Sequence, residues 1–191
     1  MKKNGLIDDK YELIIKEFQT FLSVFYVLLI GVGMLFSYSK YSQFGINIFQ
    51  YSEIFDFLVT PFRDLTVLGV TVFTILMSYL IYKSDRLIKH KFPKFYSSKF
   101  NFGLMKSYPI IAVIISFVLY LYIFSETYGK FNKRHFLEKP NTISIQLLNN
   151  EIKSGKLIGK NNGYIFMMIN DEIKVYPINN SVKEITINKS L

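Results

Sequence analysis

The sequence predicts a membrane α-helical protein, with three transmembrane helices and an interfacial amphipathic helix, followed by a small all-β domain of SH3-like type. Three observations lead there. First, three apolar runs, residues 18–36, 65–82 and 108–124, contain no Asp, Glu, Lys, Arg or His. A bilayer's hydrocarbon core is about 30 Å thick, and a helix needs about 20 apolar residues to cross it. Second, the segment between the first two runs has helical periodicity but is too short to span. Third, beyond residue 140 the apolar spacing switches to strict alternation, which is the period of a strand.

The tail, residues 1–17, mixes Lys2, Lys3, Lys10 and Lys16 with Asp8, Asp9, Glu12 and Glu17. No small-x-small pattern follows the first apolar run, so that run is expected to be a retained anchor rather than a cleaved signal peptide. Tyr11–Ile15 reads as a short helix leading into it. Gly31 and Gly33 allow close helix approach or a slight bend.

Within the linker Ser37–Asp64, the residues Tyr51, Ile54, Phe55, Leu58 and Val59 recur at i, i+3, i+4, i+7 and i+8. They share one helical face, while Ser52, Glu53 and Asp56 fall on others. Gly45 precedes the pattern and Pro61 closes it. A helix over 51–60 that carries two carboxylates is expected to lie in the membrane interface or to cap the bundle. The plainer alternative is an apolar loop packed on the spans.

The second run carries Thr71, Thr74 and Ser78 at helical spacing, near Gly69. Small and hydroxyl residues line helix contacts in lipid, and a pore-lining stripe is the sharper alternative. The third run has Ala112 and Ser116 as a small-xxx-small pair, with Pro109 in its first turn, where proline is tolerated.

Seven of the 23 Lys and Arg residues lie between the second and third runs: Lys83, Arg86, Lys89, Lys91, Lys94, Lys99 and Lys106, against the single acid Asp85. Phe92, Phe95, Tyr96, Phe100 and Phe102 are interleaved with them. Basic and aromatic residues beside membrane spans suit anionic lipid headgroups. The same mixture can bind single-stranded nucleic acid, but the position favours lipid, and no nucleic-acid partner is expected. Positive residues stay cytoplasmic, so this linker and the N-terminus are expected on the cytoplasmic side, and the β domain outside, in the periplasm of a two-membrane cell. Lys130, Lys133, Arg134 and Lys139, after the third run, pull the other way.

Residues 126–140 read as a polar linker. Ile143, Ile145 and Leu147 alternate with Ser144 and Gln146, giving a first strand. Lys156–Gly159, Tyr164–Ile169, Glu172–Pro177 and Val182–Ile187 follow, separated by Asn161-Asn162-Gly163, Asn170-Asp171 and Asn179-Asn180. Five short strands suggest a small antiparallel barrel or curled sheet. A domain this small is near the lower size limit for independent folding.

The chain has no Cys and two His, His90 and His135, both in lysine-rich segments. Disulfides, thiol catalysis and cysteine-ligated metal are excluded. No G-x-S-x-G, Walker, H-E-x-x-H or G-x-G-x-x-G pattern occurs, and no cofactor or metal is expected. Glu53 and Asp56 are close enough on a helix for acid–base work or cation binding, but the polar face of an interfacial helix explains them more simply. Asp64 suits the N-terminus of the second span by its charge. The absence of ionisable groups within the spans argues against an ion-coupled carrier and leaves a channel open.

The run F-G-I-N-I-F-x-Y-x-x-x-x-D-F-L-x-x-P-F-R, from Phe44 to Arg63, resembles one in small uncharacterised bacterial inner-membrane proteins. S-G-K-L-I-G-x-x-x-x-Y-I-F, followed by V-Y-P and V-K-E-I, resembles the small β domains appended to some of them. The resemblance implies a bacterial membrane protein and transfers no catalytic residue. The expected function is a non-enzymatic membrane protein whose β domain binds a protein partner or assembles a homo-oligomer. An oligomeric channel, or a membrane-disrupting effector of a bacterial defence or stress system, is the alternative. An interfacial lipid enzyme using Glu53 or Asp56 is a third.

Overall fold

The computed structural model describes residues 5–97, 109–138 and 141–187. Lys99, Phe100, Phe102 and Lys106 of the basic linker lie outside the described residues. Helix α1 (Gly5–Ser42) is followed by a 3₁₀ turn (Ile48–Gln50), α2 (Ile54–Arg63), α3 (Leu65–Lys91), α4 (Pro93–Ser97) and α5 (Pro109–Glu138). Three of these, over Ile14–Ser42, Leu65–Lys91 and Pro109–Glu138, are long and apolar enough to cross a membrane. Only 22%, 22% and 11% of their most apolar windows are buried within the molecule. Apolar surface on that scale requires a non-aqueous neighbour.

The three helices run up, down and up. Ser39 of α1 donates to Ser125 of α5 at 3.1 Å near one end, while Phe25 meets Val113 and Phe117 across a groove near the other. These two helices are therefore parallel. Val67, early in α3, packs with Phe36 and Tyr128, whereas Ile75 and Tyr79 face that same distal groove, so α3 is antiparallel to both. Asp64 caps α3, its Oδ1 accepting the Thr66 N–H at 2.9 Å. Pro109 opens α5, where its missing N–H is harmless.

Two helices extend well past their apolar runs. Of the segment 126–140 expected as a linker, residues 126–138 are the last turns of α5, where Lys130–Glu126 at 3.1 Å and Arg134–Glu138 at 2.8 Å form i,i+4 ion pairs, and residues 139–140 lie outside the described residues. Lys83–Lys91 likewise continues α3. At 1.5 Å per residue α5 is about 45 Å long, so one end stands clear of any bilayer core and supports the β domain.

The C-terminal domain is an antiparallel five-stranded sheet in the order β4-β3-β2-β1-β5. Its strands are β1 (Thr142–Leu147), β2 (Ile152–Lys160), β3 (Tyr164–Ile169), β4 (Glu172–Pro177) and β5 (Val182–Ile187). β2 is longer than the expected Lys156–Gly159, because it pairs with β1 along Ile152–Lys156 before pairing with β3. Asn170 and Asp171, at φ 52° and 62°, form a two-residue turn with both residues left-handed. Asn179-Asn180 lies in a single helical turn, α6 (Ile178–Ser181), rather than in a loop.

The sheet is open and not the closed barrel that was one expectation. Ile143, Ile145, Ile165 and Met167 form the core of one face, and Ile178 and Val182 pack against it. The opposite face turns Phe166 and Ile158 onto Tyr41, Phe57 and Phe136 of the helices and Phe44 in the turn after α1. A Cβ on Gly159 would strike the Tyr41 hydroxyl, so glycine there lets the ring reach the sheet.

Candidate functional site

Where the β domain meets the helices, a cavity of about 210 Å³ opens. It is lined by the last turns of α1, the 3₁₀ turn, α2 with the residues that flank it, Tyr128 of α5, and the end of β2 with the turn that follows. Helix α2 starts with a reciprocal cap in which the Glu53 N–H donates to Asp56 Oδ2 at 3.1 Å. Asp56 is buried, and its other oxygen accepts the Asn162 N–H at 3.2 Å. The carboxylate that starts the helix therefore also anchors the β2–β3 turn.

Asn161 completes the clasp. Its side-chain amide donates to the Tyr51 carbonyl at 2.7 Å and to Ser52 Oγ at 2.9 Å. Its Oδ1 accepts from the N–H groups of Gly163 at 3.0 Å and Tyr164 at 2.7 Å. Arg63 Nη2 donates to Asn162 Oδ1 at 3.0 Å. The Tyr51 ring stands edge-on to Tyr164 and Phe166, 5.3 Å and 5.6 Å between centroids.

On the helical side, Asp64 Oδ2 accepts the Tyr128 hydroxyl at 2.5 Å, tying the start of α3 to α5. Partial burial works to raise the Asp64 pKa. The hydrogen bonds from Tyr128 and Thr66 and the positive charge of Lys40 outweigh it and hold the carboxyl below its ordinary range. Ser37 and Thr60 share a hydrogen bond at 3.3 Å, and Thr60 also donates to the Asp56 carbonyl. Lys40, Arg63 and Lys160 complete the lining as its three cations. With both carboxylates engaged by the chain, the cavity offers a ligand positive charge and hydroxyl groups.

Of the residues expected from sequence to matter, Asp56 and Glu53 lie at this junction, Asp56 turned inward rather than out to solvent. Tyr51 packs on the sheet. Ile54 and Phe55 are exposed, Leu58 is half-buried, and α2 buries Phe57 and Pro61 instead. Thr71, Thr74 and Ser78 are buried on α3. The first two hydroxyls donate to the carbonyls of Val67 and Val70. Ser78 Oγ has no partner among the described residues. Lys83, Arg86, Lys89 and Lys91 lie toward the far end of α3, with Lys94 just beyond it in α4, about 30–40 Å from the cavity by helix length. There Arg86 covers the Tyr82 ring at 5.2 Å and Lys89 the Tyr96 ring at 5.7 Å.

Sequence reasoning missed Lys40, Thr60, Arg63, Tyr128, Lys160 and Asn161 as members of one site. The available signal was weak: Lys40 and Arg63 are single charges at the ends of apolar runs, and Asn161 opens a turn. Comparison with protein families, curated proteins and solved structures finds no match to this chain.

Proposed function

We propose that the protein is a non-enzymatic, multi-pass protein of a bacterial inner membrane that assembles into a homo-oligomer through its β domain. The observation that carries this reading is the open sheet: β4 and β5 are both edge strands, β5 exposed along nearly all its length and β4 along its first half. An unpaired edge is a template for another strand. We read the domain as SH3-like, five short strands curled around one apolar core. The opposite face is already occupied by the helices, so the edges are its free recognition elements. Pairing β5 of one copy with β4 of the next is a head-to-tail contact, which closes into a ring when the rotation allows.

Orientation follows charge. The basic residues of α3 and α4 are at the end opposite the β domain, and positive residues stay in the cytoplasm. The β domain is then external. A second reading, an oligomeric channel or membrane-disrupting effector of a defence or stress system gated through the β domain, draws on Ser78. Its buried hydroxyl faces an apolar groove between α1, α3 and α5, where an added helix or water would satisfy it.

The chain has no cysteine, so introduced thiols report cleanly. Chains with Lys174→Cys on β4 are mixed in vesicles with chains carrying Glu184→Cys on β5. Assembly by edge pairing gives mixed disulfide dimers and a particle mass of several chains. A single-chain mass with no cross-link would refute it. Ion flux across the same vesicles separates a conducting assembly from a silent one.

A further inference from the structure

The junction cavity carries three cations, Lys40, Arg63 and Lys160, against two carboxylates, Asp56 and Asp64. All four carboxylate oxygens already accept hydrogen bonds from the chain itself. Lys40 has neither a hydrogen-bond nor an ion-pair partner among the described residues. Its Nζ lies 5.4 Å from the Tyr41 ring centroid. It lines both this cavity and a second of about 130 Å³. A half-buried ammonium that feels the Asp64 charge without forming an ion pair with it is incompletely compensated unless an external group completes it.

The surroundings indicate which group. Ser52 accepts from Asn161, so its own O–H is free to donate. Lysine supplies a compact charge and arginine a planar fork, the two donor geometries that bind phosphate. The volume is below the roughly 300–1,000 Å³ of drug-sized pockets, which is the scale of a headgroup. The cavity lies where α1 ends and α3 begins, at the height of a membrane surface if the long helices span. Beside it, α2 exposes Ile54, Phe55 and Phe62, apolar side chains suited to the acyl boundary.

We infer that this cavity is a binding site for a phosphate-bearing anion, supplied by an anionic lipid headgroup. The lining comes from one chain, so the site does not depend on assembly.

The test uses the full-length protein in neutral detergent, titrated with phosphatidylglycerol, phosphatidylcholine or glycerol 3-phosphate and followed by native mass spectrometry. One phosphatidylglycerol is expected to be retained in preference to phosphatidylcholine, and Lys40→Gln should weaken its retention by roughly tenfold. Because Lys40 is half-buried, Lys160→Gln is measured as well; its side chain is exposed, so it should fold normally and still weaken retention. Replacing Lys83, Lys89 and Lys91 with Gln at the far end should leave that one lipid bound. Displacement by glycerol 3-phosphate would assign the site to free phosphate esters, while retention against it would assign the site to headgroups. Equal retention of both lipids without glycerol 3-phosphate binding would overturn the site. So would wild-type retention by both Lys40→Gln and Lys160→Gln.

Discussion

Gly33 and Gly31 are two residues apart in one apolar run, yet they meet different surroundings. A Cβ at Gly33 would run into the backbone carbonyl of Phe57, whereas nothing lies within 4 Å of one at Gly31. The carbonyl is part of α2 and cannot rotate away as a side chain would. Gly33→Ala should push α2 off α1 and destabilise the protein by about 1–3 kcal/mol. Gly31→Ala should be neutral, or stabilising by up to about 1 kcal/mol from helix propensity. Thermal midpoints of the two variants in one detergent check this, and equal midpoints would contradict the close α1–α2 contact. From sequence both glycines read as sites of close approach or bending, because run position does not say which one faces a neighbour. Asp64 was more legible: an acid directly before an apolar run is a helix cap by its chemistry. Its bond to Tyr128, 64 residues away, was not.

Among the elements, the three long helices were readable because an ion-free apolar run has few alternatives. Their ends were not readable. Polar residues after a span suit a linker or a further helical turn equally, and the ion pairs that extend α5 are local and weak. Helix α2 reads from sequence as residues 51–60 and forms over Ile54–Arg63, but which of its faces turns inward was not legible. Periodicity finds an apolar stripe; it cannot tell whether that stripe faces the protein or its surroundings. Here the inward positions are Asp56, Phe57 and Pro61, because the β2–β3 turn supplies the partner that makes burial of Asp56 tolerable. The clasp between α2 and the sheet centres on Asn161. Asn161→Ala would leave the Tyr51 carbonyl and the Tyr164 N–H unpaired, at about 1–3 kcal/mol for each buried group. Asn161→Asp should not restore the two donated bonds. Hydrogen exchange is expected to quicken in both α2 and β3. Faster exchange confined to 161–163 would show that the turn is not what joins them.

At the scale of the whole molecule, an odd number of long helices separates the N-terminus from the β domain. The up-down-up order places the end of α3, the start of α5 and the start of α1 at one end and the sheet at the other. If the helices span, a reporter at Leu191 should be active only outside, and one inserted after Lys94 only inside. Both reporters on one side would mean that a long helix does not cross. An internal Leu191 reporter with an external Lys94 reporter would reverse the orientation drawn from charge.

By itself the sequence determined the three apolar helices, the five-strand count and the far-end basic cluster. These follow from local quantities, namely run length, spacing period and charge. Tertiary structure alone decided that the sheet stays open, which face of α2 is buried, and that Lys40, Arg63 and Lys160 line one cavity. Those depend on contacts between residues about 100 positions apart, such as Asp56 with Asn162, and such contacts leave no periodic trace in the chain.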